Sequence, residues 1–161
     1  MIGKFAKLVA FGLFGLLFLA AGTFGTVYGL MQRDTPAGIA AAEGVVENLS
    51  KRWQFDDIAQ QFAPIVLASI NGDVAQRTIE PFRGMGPLKR IRDAEMSDYK
   101  VGFSDADGFH RRATLTMVAE FQDGEAGVTI TLITTGGVTK VQHLNLKPLR
   151  MPQPQARRSL A

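Results

Sequence analysis

The feature that most constrains this chain is a run of 24 uncharged residues, 8–31, behind Lys4 and Lys7. As a helix such a run rises about 36 Å at ~1.5 Å per residue, against a bilayer hydrocarbon core of ~30 Å. It therefore predicts a transmembrane helix over 8–31 that crosses with some tilt. A cleaved secretory signal is the alternative, with Lys4 and Lys7 as its basic start and Ala20-Ala21-Gly22 as its small-residue site. The apolar run passes that site and continues through Phe24, Val27, Tyr28, Leu30 and Met31, which favours a retained anchor. The chain has no cysteine, so a lipoprotein anchor is excluded.

Orientation follows from the flanks. Lys4 and Lys7 precede the run, whereas Arg33 behind it is offset by Asp34. The positive-inside rule then places residues 1–7 in the cytoplasm and the remainder outside a bacterial inner membrane, in the periplasm. Ala21, Gly25 and Gly29 recur at four-residue steps, the spacing that lets a second membrane helix approach closely. Expected partners are the membrane and other membrane or periplasmic proteins, or a second copy of the chain.

The formal net charge is +3, but the basic residues concentrate at the ends. Residues 32–146 hold 12 basic and 15 acidic residues, a net of −3. A nucleic-acid-binding domain concentrates positive charge on its folded face, so no nucleic-acid partner is expected. Residues 148–161, rich in proline and arginine, read as an extended tail. Between span and tail, 35–147 is enough chain for one hydrophobic core.

Within that domain, Thr35-Pro36 has the form of a helix start, and Ile39, Val45, Val46, Leu49 and Trp53 recur at helical spacing to about residue 53. A second helical signal begins at Asp56 or Asp57 and is limited by Pro64. Asn71-Gly72-Asp73 caps a third over 74–82, and Gly84 to Pro87 closes the helical half. Strand patterns follow. Residues 88–103 form one long strand or two pieces, with Tyr99, Val101 and Phe103 on one face. After a polar turn at 104–109, Ala113, Leu115, Met117, Ala119 and Phe121 alternate without a miss. Asp123-Gly124 reads as the next turn, then Ala126, Val128, Ile130 and Leu132 alternate. A turn centred there pairs Phe121 with Ala126, Ala119 with Val128, Met117 with Ile130 and Leu115 with Leu132. After Gly136-Gly137, Val141 and Leu144 have opposite parity although both are apolar, which predicts a bulge at Gln142-His143. The fold class is α+β: helices packed on an antiparallel meander.

The motif G-P-L-K at 86–89, the alternating stretch 119–132 and G-G-V-T-K-V-Q-H-L-N-L at 136–146 resemble the cystatin-like, nuclear-transport-factor-like superfamily. The resemblance implies a curved sheet wrapped around helices into a cone, in the manner of small membrane-anchored bacterial members. That superfamily spans isomerases, dehydratases and secretion-scaffold domains, so fold alone does not select an activity.

No catalytic motif is present. His110 and His143 lack metal-ligand spacing. Asp105-Ala106-Asp107-Gly108 lacks the acidic ligands that a calcium loop needs later, and reads as a turn. Lys89, Arg90 and Arg92 fall at the opposite end of the first hairpin from Arg111 and Arg112, with Arg111 expected opposite about Phe103. Neither metal nor cofactor is expected, and no enzyme activity. Trp53, Phe62, Tyr99, Leu115, Met117, Phe121, Ile130 and Leu132 form an apolar face that is first a core and secondly the wall of a pocket. The expected function is a non-enzymatic, membrane-anchored domain that binds other proteins as an accessory or assembly subunit of an envelope complex. The rival is a binding module for a small apolar ligand or lipid.

Overall fold

A computed structural model describes the backbone of residues 2–104 and 108–152, and side chains from residue 26 onward within those ranges. The elements are α1 (Ile2–Arg52), α2 (Asp56–Ala59), α3 (Pro64–Leu67), α4 (Gly72–Ile79), a 3₁₀ segment (Glu80–Met85), β1 (Leu88–Ser104), β2 (Gly108–Phe121), β3 (Glu125–Thr135) and β4 (Val138–Arg150). The chain divides into two units, Met1–Pro36 and Ala37–Ala161.

The first unit is helical. Most of the predicted span, and with it Ala21 and Gly25, lies outside the residues whose side chains are described. Among the described residues no helix is long and apolar enough to cross a membrane. Gly29 is exposed, with nothing within 4 Å of where a Cβ would stand. Thr35 does not start a new helix as its sequence suggests. Its Oγ1 donates back to the Met31 carbonyl at 2.7 Å, and Pro36 lies inside α1. The hydroxyl bonds toward the preceding turn, so it does not cap the following one.

In the second unit α1 lays Ala42, Val45, Val46, Leu49 and then Trp53 on the sheet. Those positions repeat at three- and four-residue steps, one stripe of a helix. Opposite stand Leu115, Met117, Ala119 and Phe121 of β2, Ala126, Val128, Ile130 and Leu132 of β3, and Val141 of β4, all buried. Each fully buried large aliphatic or aromatic side chain contributes about 1.5–3 kcal/mol. The outer face is polar, with Thr114 Oγ1 3.2 Å from Thr131 Oγ1. An ion network crosses all four strands there. Glu120 pairs with Arg90 and, at 3.6 Å, with Arg92; Glu125 pairs with Arg92 at 3.5 Å and Arg150 at 3.2 Å.

The sheet is antiparallel in the order β1-β2-β3-β4. The expected β2–β3 register is off by two residues: Ala119 pairs with Ala126, Met117 with Val128, Leu115 with Ile130 and Ala113 with Leu132. The turn centres on Gln122-Asp123 instead of Asp123-Gly124, because its amides are held from outside. Gln122 N donates to Pro87 O at 3.0 Å and Asp123 N to Met85 O at 2.9 Å. A two-residue shift preserves parity, so the same side chains still face inward.

Other departures are local. The second helical signal divides into two helices of four residues each, α3 taking Pro64 at its first position. Strands β1 and β2 run on to Ser104 and Gly108, so Arg111 faces Val101 and not Phe103. Arg92 pairs with Val118, so the two basic groups are indeed separated along the hairpin. Strand β1 carries three irregularities; at one of them Asp93 adopts a left-handed φ of 52°. Strand β4 continues through Pro148 to Arg150, past the expected start of the tail at 148, because Pro148 and Arg150 pair with Ala126 and Glu125.

The β4 bulge is present where parity requires it. Leu132 faces Val141 and Thr131 faces His143, leaving Gln142 as the extra residue. Val141 is buried, and Leu144 and Leu146 pack against the core from the same side.

Candidate functional site

An apolar groove with a volume of about 270 Å³ lies between the short helices and the bulged part of β4. Phe55, Ile58 and Phe62 lie on the helical side, with Val66 and Ile70 further along. Ala75, Thr78 and Ile79 of α4 also line it, and residues 142–146 of β4 face them.

The chain builds this groove from a constrained corner. Trp53 ends α1 with a left-handed φ of 56°, a conformation that costs a bulky residue about 1–2 kcal/mol. Several contacts hold it there. Its amide donates to Leu49 O at 2.7 Å and its indole Nε1 donates to Gly86 O at 3.1 Å. Its ring stacks on Phe82 at 6.1 Å and tilts against Phe121 at 5.1 Å. The Gln76 side chain acts as a substitute peptide group across the corner. Its Nε2 donates to Trp53 O at 3.0 Å, and its Oε1 accepts from Phe55 N at 2.9 Å. Phe55 is thereby turned into the groove, where its ring meets Phe62 at 5.5 Å.

Helix α4, which supplies Ala75, Thr78 and Ile79, is started by Asn71. Its Oδ1 accepts from the amides of Asp73 and Val74, as the sequence predicts. The opposite wall depends on the bulge. Before it, the segment between α2 and α3 pairs with β4: Val141 N donates to Gln61 O at 2.7 Å and Ala63 N to Val141 O at 2.8 Å. This forms a single parallel bridge between Phe62 and Val141. Lys140 Nζ donates to Gln60 O at 2.7 Å, so the lysine adjoining the bulge is satisfied at the rim. Past the bulge Leu144 and Leu146 keep facing the helices and line the groove, while His143 and Asn145 stand exposed beside them.

Of the residues expected to line a pocket, Phe62 alone does so. Trp53, Leu115, Met117, Phe121, Ile130 and Leu132 are buried in the core, and Tyr99 is half-buried on β1. The core fills the space over the sheet, and the open volume moves to its β4 edge. The groove residues Val66, Ile70, Ala75 and Ile79 were not singled out from sequence. The bulge at Gln142 was the available signal, because a bulge frees an edge from regular pairing.

The lining is chiefly apolar, with the polar groups of Thr78, Gln142, His143 and Asn145 interspersed. Among the described residues His143 is its only titratable side chain. The arrangement suits the binding of an apolar side chain or acyl group; among the described residues it presents no paired acid and base. His110 lies away from it on β2, its Nδ1 3.2 Å from Gly108 O. Among the described residues no group of three or more His, Cys, Asp or Glu gathers as metal ligands would. Two other hollows, at Gln122-Asp123 and at 134–137, have no buried lining residue.

Away from the groove, Glu120 on the outer face has a shifted carboxyl. Its hydrogen bond to Arg90 holds the carboxyl below the usual glutamate range, and desolvation opposes the shift. The same pairing raises Arg90. No protein-family profile, curated protein or solved structure matches the chain.

Proposed function

We propose that this chain is a single-span, membrane-anchored protein whose outer domain docks a segment of another protein, as an accessory or assembly subunit of an envelope complex. The N-terminus is then cytoplasmic and the domain lies outside the inner membrane. The uncharged run 8–31 behind Lys4 and Lys7 supports the anchor. Helices followed by a four-stranded meander suit the cystatin-like, nuclear-transport-factor-like resemblance and its cone-like curvature. The observation that carries the binding role is the groove. It is apolar, open to solvent along the β4 edge, and at about 270 Å³ just under the ~300 Å³ at which small-molecule sites begin. An open groove beside a strand edge accepts the side chains of an extended protein segment.

The rival occupant is a small apolar ligand or lipid, favoured by the same lining. A photo-crosslinking residue placed at Ile70 in the full chain separates the two. Docking predicts a protein adduct at Ile70 and none at Thr139, which is exposed on the β3–β4 hairpin. An Ile70 adduct consisting only of lipid or a small molecule would replace this reading with the rival one.

A further inference from the structure

Beyond its bulge, β4 presents an open edge. Val141 turns both of its backbone groups away from β3: its amide donates to Gln61 O at 2.7 Å and its carbonyl accepts from Ala63 N at 2.8 Å. Val141 and Leu132 therefore face each other without exchanging hydrogen bonds. Strand β3 pairs regularly with β2, so Ile130 and Val128, two and four residues from Leu132, keep its orientation. Their partners Leu144 and Leu146 then turn amide and carbonyl outward, as Val141 does. Pro148 continues the series opposite Ala126, and an outward position is where a strand tolerates a residue with no amide hydrogen. The segment that covers Val141 leaves the edge when α3 starts at Pro64. Among the described residues no backbone group meets the outward groups of Leu144 and Leu146.

The groove lies along this stretch. Leu144 and Leu146 line it, together with Val66, Ile70 and Ile79. A segment added to the edge alternates its side chains as β4 does. Its residues level with Leu144 and Leu146 point to the groove side. Those between point to the outer face, where His143, Asn145 and Lys147 stand exposed. Charge selects what those residues should be. Strand β4 holds Lys140, Lys147 and Arg150 and no acidic residue. Lys140 donates to Gln60 O and Arg150 pairs with Glu125. Lys147 has no ion-pair partner among the described residues.

We infer that the occupant of the groove binds by strand addition: an extended protein segment, apolar at alternate positions and acidic between them, pairs with Leu144 and Leu146, lays its apolar side chains in the groove and sets an acidic side chain beside Lys147. This rests on the protein-docking reading of the groove, and adds the manner of binding and the chemistry of the partner. The bridge between Phe62 and Val141 is the same contact made within the chain. In such complexes main-chain bonds supply affinity and the alternate side chains supply specificity. The acidic positions add a salt-sensitive preference.

The probe is a capped heptapeptide alternating glutamate and valine, added to the isotope-labelled full chain in mild detergent and followed by amide NMR and hydrogen exchange. Without peptide, the Leu144 and Leu146 amides should exchange fast and the Asn145 amide, which faces β3, slowly. With peptide, exchange at Leu144 and Leu146 should slow several-fold and the signals of Ile70 and Ile79 should shift. The lysine–valine counterpart should bind several-fold more weakly. Leu146→Pro, whose lost amide hydrogen the β3 ladder does not use, should abolish binding with circular dichroism unchanged. If that variant fails to fold, the exchange result in the wild-type chain decides alone. Shifts at Ile70 and Ile79 without protection of Leu144 and Leu146 overturn strand addition and leave the docking reading standing. Equal binding of the lysine peptide overturns the acidic assignment. No response to either peptide overturns the inference, while the crosslink at Ile70 judges the docking reading independently.

Discussion

Ser50→Ala sets two opposing effects against each other at one atom. Ser50 is the one buried polar side chain among the described residues, 2% exposed, in the last turn of α1. Its Oγ donates to Glu47 O at 2.9 Å and accepts from Leu88 N at 3.0 Å. The second bond ties the first residue of β1 to α1, at the position where Leu88 pairs with Phe121. Removing the hydroxyl leaves the Leu88 amide without its acceptor, which costs about 1–3 kcal/mol. Alanine returns up to about 0.5 kcal/mol through its better helix propensity. The net expectation is a loss of about 0.5–3 kcal/mol. In thermal unfolding of the full chain in mild detergent, followed by circular dichroism, this lowers Tm by roughly 4–8 °C per kcal/mol for a small domain. Hydrogen exchange supplies the local readout: the Leu88 amide should exchange markedly faster in the variant. A Tm equal to or above wild type, with Leu88 still protected, would refute the reasoning, because the amide would then have another partner and helix propensity would prevail.

Gly124→Ala should destabilise by about 1–3 kcal/mol, read as a lower Tm, because the new Cβ would stand 2.7 Å from Arg150 O and 2.9 Å from Met85 Cγ. Trp53→Phe keeps an aromatic ring between Phe82 and Phe121 but deprives Gly86 O of its indole donor, and should cost about 1–3 kcal/mol in denaturant unfolding. For Glu120, Arg90 depresses the folded pKa, so the pair's stabilisation is present above the ordinary glutamate value of about 4.3 and is lost as pH falls through the lower folded value. Wild-type Tm should therefore fall more steeply than that of Glu120→Gln below about pH 4.3; parallel profiles would remove Glu120 from the acid response. Asn71→Ala should cost about 1 kcal/mol and loosen the groove wall, seen as faster exchange at the Asp73 and Val74 amides.

The period-two pattern of 113–121 and 126–132 determined by itself which side chains face inward, since alternation depends only on the local pleat. The conflicting parity of Val141 and Leu144 likewise located the bulge, because only an extra residue lets both face the core. Asn71 was legible as a cap because its acceptor serves amides two and three residues away. What failed to show in the sequence depended on partners distant along the chain. Register shifts by two leave alternation untouched, and the choice between them was made by the carbonyls of Met85 and Pro87. The left-handed Trp53 would have called for glycine on local grounds; Gly86, Gln76, Phe82 and Phe121 hold a tryptophan there instead. Apolar periodicity likewise identified a buried face without separating filled core from groove. That separation arose where β4, beyond its bulge, left Val66, Ile70 and Ile79 facing Leu144 and Leu146 across open space, a consequence of packing between elements.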